Sequence, residues 1–184
     1  PTEKRVRKDV KGKSGYEIGA GNKLEAKTPV DSTYNDGDNK LVTMMFNYGK
    51  YLMISGSRPG DTENDIPISQ PLNLTGKWNG TNNPWAGKYT ININTEMNYW
   101  PSQPLNLSEC VFPLTEMLQQ LAENGSITAD YQYGIKNHRN DDKYIPGDPW
   151  VMHNNTDLWR GTQFVDNSDV LWPMGGAWLM DCVW

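Results

Sequence analysis

The chain has 184 residues, 17 Lys or Arg against 22 Asp or Glu and a formal net charge of −5; that length admits one domain with a real core, and that charge argues against a nucleic-acid backbone as partner. Eight Trp and nine Tyr stand against three Phe, a balance that suits sugar surfaces because these rings pair an apolar face with a polar handle, although a helical core can also use Trp. The two cysteines, Cys110 and Cys182, make neither a disulfide framework nor a metal pattern, no metal or cofactor is expected, and no membrane span or signal peptide is visible.

The sequence begins at Pro1 without an initiator Met and stops at Trp184 inside the apolar segment 177–184. We read it as a piece of a longer protein, whose remaining domains would be its partners. Residues 1–37 are polar, with glycines at 12, 15, 19, 21 and 37, and read as a surface loop or linker. Asp38 or Asn39 then caps a helix in which Leu41, Met44, Met45, Tyr48 and Leu52 form a stripe expected to pack into the core, ending near Ser55-Gly56. From Ser57 to Tyr89 the chain is rich in Pro, Gly, Asn and Asp and carries Trp78 and Trp85. It is either a functional loop or one pinned by two tryptophans.

The stretch Lys88 to Trp100 follows, with Asn92 and Asn94 two residues apart and then Glu96, Asn98, Tyr99 and Trp100. In an extended backbone the two carboxamides face one side and their oxygens can hold one water by its hydrogens. An amide cannot take the proton, so such a pair orients water and needs a carboxylate elsewhere. The alternative is a polar strand-to-helix junction in which both residues only satisfy local backbone groups. Leu114, Met117, Leu118 and Leu121 next recur at helical spacing, with Asn124-Gly125 as the expected stop and Pro113 in the first turn or at a kink. Ser126 to Tyr133 suggests a short separate helix, and Lys136 to Pro149 a charged insertion in which His138 is a solvated residue. In the segment from Trp150 to Arg160, His153, Asp157 and Trp159 crowd together in a way that suits sugar recognition; Asn155, Thr156 or Asp157 could equally cap a helix through Leu158. A last helix starts within Trp172 to Trp184, where Gly175-Gly176 permits a close approach.

The longer words of this sequence run in a recognisable order. Asn92 to Pro101 reads Asn-Ile-Asn-Thr-Glu-Met-Asn-Tyr-Trp-Pro, with Asn106-Leu-Ser-Glu-Cys110 behind it. Tyr48 to Ser55, Ser57-Arg-Pro-Gly60 and Leu74 to Asn79 precede it; His153 to Trp159 and Trp172 to Trp178 follow. Together they resemble glycoside hydrolase family 95, which contains inverting 1,2-α-L-fucosidases and relatives acting on α-L-galactosides. The resemblance implies a mainly α fold, a partial (α/α)6 barrel with long polar-aromatic loops, of which residues 38–184 would be the N-terminal half. It implies a glycan substrate, and matches Asn92 and Asn94 to the pair that positions the attacking water. Thr90, Trp78, Trp85, Trp100, His153, Asp157, Trp159 and Trp172 are then the candidate substrate-binding residues. The family's general acid and catalytic aspartate lie further downstream and neither motif is found, so the isolated segment is expected to be inactive. The full protein is expected to be secreted or periplasmic. Many family members carry His where this chain has Thr90. The shorter side chain leaves room for the extra hydroxyl of L-galactose, which argues against strict fucose specificity. A non-catalytic carbohydrate-binding protein is the competing reading.

Overall fold

The computed structural model describes residues 6–8, 14–18, 24–26, 36–80, 82, 84–136, 144–164 and 171–183. They fall into two units, residues 1–49 and 50–184.

The first unit holds a three-stranded antiparallel meander, β1 (Val6–Lys8), β2 (Ser14–Ile18) and β3 (Leu24–Ala26), in the order β1-β2-β3. Tyr16 pairs with Arg7 on one side and Ala26 on the other, with a bulge after Arg7. The segment expected to be a loop or linker therefore contains a sheet. Its strands are three to five residues long, shorter than the run that alternation needs to stand out. Helix α1 (Asp36–Gly56) begins earlier than the expected cap and ends as expected. Leu41, Met44, Met45 and Tyr48 are exposed and Leu52 is half-buried, while Met53 is the residue that reaches the core. The stripe was expected to be core-facing. Periodicity marks which side of a helix is apolar; it does not supply the layer that covers it.

The second unit is built around α3 (Phe112–Tyr133), whose Leu114, Met117, Leu118 and Leu121 are all buried. Pro113 sits in its first turn, where no intrahelical N–H is required. The helix runs straight through Asn124-Gly125, correcting both the expected stop and the separate helix at 126–133. Gly125 serves packing instead: a Cβ there would lie 2.6 Å from the Val151 carbonyl oxygen, and the Val151 N–H donates to the Gly125 carbonyl. The true stop is Gly134, left-handed at φ 65°, with its N–H returned to the last turn. Leu72, Ile91, Tyr99, Leu107, Met152 and Leu179 complete the core.

Two short elements lie against this helix and fix the region of the asparagines. Strand β4 (Tyr89–Thr90) pairs antiparallel with β5 (Asn155–Thr156), Tyr89 opposite Thr156 and Thr90 opposite Asn155. The chain then turns and enters α2 (Asn94–Tyr99). Helix α4 (Gly175–Asp181) closes over them, its Gly175 against Ile91 and its Gly176 against the Trp150 ring. The described elements are thus mainly helical with little sheet, and no described helix is long and apolar enough to cross a membrane.

Glu96, on α2, is 0% exposed, and among the described residues no other residue hydrogen-bonds either carboxyl oxygen. Desolvation pushes its pKa from the ordinary 4.5 up to about 7. Across from it, burial first and then the Glu96 and Asp181 charges push the Cys182 thiol up to about 11. The folded state holds the Glu96 proton more tightly than the unfolded chain. Stability should therefore fall as pH rises from about 4.5 to about 7 and level off above that. The loss is on the order of 3 kcal/mol. Glu96→Gln, neutral at every pH, should flatten that slope in urea unfolding followed between pH 4.5 and 8; an equally steep slope in the variant would assign the effect to other groups.

Candidate active site

The asparagine stretch is not extended. Asn92 lies in the turn after β4 and Asn94 is the first residue of α2. The cause is local: the buried Thr95 hydroxyl donates to the Thr90 carbonyl at 3.0 Å, and the Met97 N–H donates to the Ile93 carbonyl at 2.9 Å. Both bonds wind the chain into a helix as soon as it leaves the strand. The two carboxamides nevertheless open on one cleft of about 610 Å³, exposed at Asn92 and half-buried at Asn94. They converge through a strand–turn–helix path rather than through strand alternation.

Thr90, Trp85, Lys88, Asn154 and Asn155 line the same cleft. The ladder between β4 and β5 is continued by the Ile91 N–H, which donates to the Asn154 carbonyl at 2.7 Å. The Thr90 hydroxyl donates to Asn155 Oδ1 at 2.9 Å. Its proton is therefore committed to Asn155, and toward the cleft it offers an acceptor. Among the described residues Asn155 Nδ2 has no partner, and the Asn154 Oδ1 is likewise unpaired. Neither asparagine was a candidate from sequence. What assigns them is their pairing with Thr90 and Ile91 across more than sixty residues, which no local pattern encodes.

Trp85 is 72% exposed at the mouth of the cleft. It sits in the turn Pro84–Gly87, where Trp85 (φ 52°) and Ala86 (φ 58°) are both left-handed. Non-glycine residues pay about 1–2 kcal/mol each for that conformation, so the turn holds its ring in a costly position that the surrounding chain must enforce.

A second cleft of about 690 Å³ adjoins the first and is lined by Asp157 and Trp159, with Asn73, Asn79, Lys88 and Asn155. Asp157 does not cap a helix. Its Oδ1 accepts the Trp159 N–H at 2.8 Å and the Gly161 N–H at 3.2 Å, closing a tight turn. Arg160 anchors that turn from below: it is buried, donates to Gln120 Oε1 at 2.7 Å, Gln70 Oε1 at 2.6 Å and the Asp157 carbonyl at 3.1 Å, and lies 6.0 Å over the Tyr89 ring.

The other candidates lie elsewhere. His153 is fully buried: its Nδ1–H donates to the Thr162 carbonyl at 2.9 Å and its Nε2 is 2.7 Å from the Tyr133 hydroxyl, with Tyr133 and Phe164 packed on the ring. Both nitrogens are used within the core, and His153 lines neither cleft. Trp78 packs over Gly56 and Gly76, Trp172 sits against Trp178 at 6.4 Å, and Trp100 is exposed beyond α2; none of the three lines either cleft. His138 lies outside the described residues. Among the described residues no group of His, Cys, Asp and Glu could hold a metal ion.

Carboxamides converging on a cleft with an exposed tryptophan at its mouth, on a mainly helical scaffold, define a site suited to a hydroxyl-rich ring. The sequence matches the model of the glycosyl hydrolase family 95 catalytic domain over residues 6–184. The chain belongs to that family. It is similar to "Alpha-L-fucosidase 2" of Arabidopsis thaliana, 41% identical over 158 residues, which is 84% of this chain and 16% of that protein. It is also similar to "Probable alpha-fucosidase A" of Aspergillus niger, 33% identical over 161 residues, 85% of this chain and 18% of that protein. The protein of the same name from Aspergillus oryzae is 31% identical over 137 residues, 73% and 16% respectively. The chain thus spans less than a fifth of the length of these relatives.

Proposed function

We propose that this chain is part of an inverting glycoside hydrolase that removes terminal α-L-fucosyl or α-L-galactosyl residues from glycans, with Asn92 and Asn94 orienting the attacking water. The observation that carries the reading is the convergence of both carboxamides on one cleft with Thr90 and Trp85, in a chain whose relatives are named as fucosidases. In the reaction the water oxygen bonds to the anomeric carbon as the bond to the glycosidic oxygen breaks. The water's proton passes to a base, and the leaving oxygen takes one from an acid. Carboxamides accept the water's hydrogens and fix its lone pair without titrating. No described carboxylate lines the asparagine cleft, so the acid and the base are assigned to other parts of a longer protein. This segment would contribute its share of an (α/α)6 barrel. The chain alone should then hydrolyse neither 2'-fucosyllactose nor an aryl α-L-galactoside; turnover that co-purifies with it would return the proton-transfer groups to this segment.

In the full-length protein, Asn92→Ala or Asn94→Ala should lower kcat by about a hundredfold or more while KM changes little, because orienting water matters to the chemical step. A raised KM with kcat intact would make the pair a substrate clamp instead.

Thr90 bears on specificity. Its oxygen faces the cleft as an acceptor, and a site that pairs a substrate hydroxyl discriminates against the analogue lacking it. The full protein should therefore favour α-L-galactosides over α-L-fucosides. Thr90→His, which fills the space and takes away the hydroxyl, should move the ratio of the two kcat/KM values toward fucose by about tenfold. A ratio that does not move takes Thr90 out of specificity.

A further inference from the structure

The second cleft, of about 690 Å³, has no part in the chemistry assigned so far. It is not a separate hole: Lys88 and Asn155 belong to the walls of both clefts. What differs is the rest of the lining. Asn92, Asn94 and Thr90 face the first cleft only; Asp157 and Trp159 face the second only.

We propose that the second cleft receives the sugar that leaves, with the Trp159 ring as the platform on which that sugar stacks. The proposal rests on the glycosidase reading and on one consequence of inversion. The attacking water and the departing oxygen lie on opposite faces of the anomeric carbon. If Asn92 and Asn94 hold the water, the leaving sugar must depart on the side where that pair is absent. Among the described residues, the cleft that ends at Trp159 shares walls with the asparagine cleft and lacks the pair.

The lining fits such a ligand. Trp159 is 86% exposed, yet its backbone is fixed: Asp157 Oδ1 takes the N–H groups of Trp159 and Gly161, and Arg160 between them is left-handed at φ 60° and bonded inward to Gln120 and Gln70. A side chain carried on a backbone already held in place costs less to engage than one whose whole loop must be ordered on binding. Its apolar face suits the C–H face of a pyranose. At the junction, Asn155 is oriented by the Thr90 hydroxyl on its Oδ1, which leaves its Nδ2–H groups to donate to a sugar oxygen between the two clefts.

The test compares two substrates in the full-length protein. 2'-Fucosyllactose carries a leaving disaccharide; α-L-fucosyl fluoride carries none. Trp159→Ala should lower the ratio of kcat/KM on fucosyllactose to kcat/KM on the fluoride by about tenfold or more, and Trp159→Phe, which keeps a ring, should restore most of it. An unchanged ratio in Trp159→Ala, with both substrates turned over by the unaltered protein, overturns the leaving-group cleft and leaves the glycosidase reading standing. A ratio that falls equally in Trp159→Phe overturns the stacking platform. An unaltered protein that hydrolyses neither substrate overturns the glycosidase reading and this proposal with it.

Discussion

The second unit is tied together by one phenol. Tyr99, at the end of α2, is almost fully buried; its oxygen accepts the Leu72 N–H at 2.9 Å and lies 2.8 Å from Ser57 Oγ. Ser57 Oγ in turn donates to the Cys110 carbonyl at 2.7 Å. A carbonyl only accepts, so the Ser57 proton is spent there and the Tyr99 O–H donates to Ser57. One side chain thereby joins the end of α1, the loop at 72 and the turn that leads into α3. Burial raises the phenol well above its ordinary range, so it remains the donor this chain of bonds requires. Losing any member strands the others without water, which costs more than the single bond lost.

That tie matters because α2 is six residues long. A helix so short has no stability of its own and takes its place from tertiary contacts. Tyr99 fixes one end through the phenol, and Thr95 fixes the other by bonding back to Thr90. Asn94 stands at that second end and Asn92 in the turn just before it. The facing wall is held by a two-residue ladder that Arg160 braces through Tyr89. Arg160 is a buried cation that donates to neutral oxygens from three separate segments, Gln70, Asp157 and Gln120. It therefore works as a three-way strut: multiple hydrogen bonds offset its desolvation, and the segments they come from are held together.

How much of this could be read beforehand depends on the range of the interaction. The core stripe of α3 was legible at Leu114, Met117, Leu118 and Leu121, since burial and helical period reinforce each other there. The family words drew attention to Asn92 and Asn94, which open on one cleft. The meander of β1, β2 and β3 was not legible, because strands of three to five residues among glycines leave little alternation. Spacing left the backbone at Asn92–Asn94 open between an extended run and a strand-to-helix junction; the structure has the junction, set by the bond from Thr95 to Thr90, a Thr that looks like any other in sequence. His153 drew attention through its neighbours, yet its partners Tyr133 and Thr162 come from the end of α3 and the following loop. Polar residues crowded in sequence are not thereby crowded in space.

The placement of Glu96 separates two kinds of pH dependence that an assay would otherwise confuse. It lies two residues beyond Asn94, but neither cleft includes it, and its carboxyl is sealed in the core toward α4. Its titration near neutrality therefore acts on the folding equilibrium. Asn92, Asn94, Asn154 and Asn155 do not titrate at all, so the amides of the first cleft impose no pH limb on the rate. If the longer protein is the proposed glycosidase, a limb in its kcat that persists where the fold is fully populated belongs to the acid and base of that reaction. A limb that tracks unfolding belongs to the carboxyl buried behind the site. On the proposed reading, a neutral water-orienting pair leaves proton transfer to other groups, and the buried acid next to it in sequence lines neither cleft.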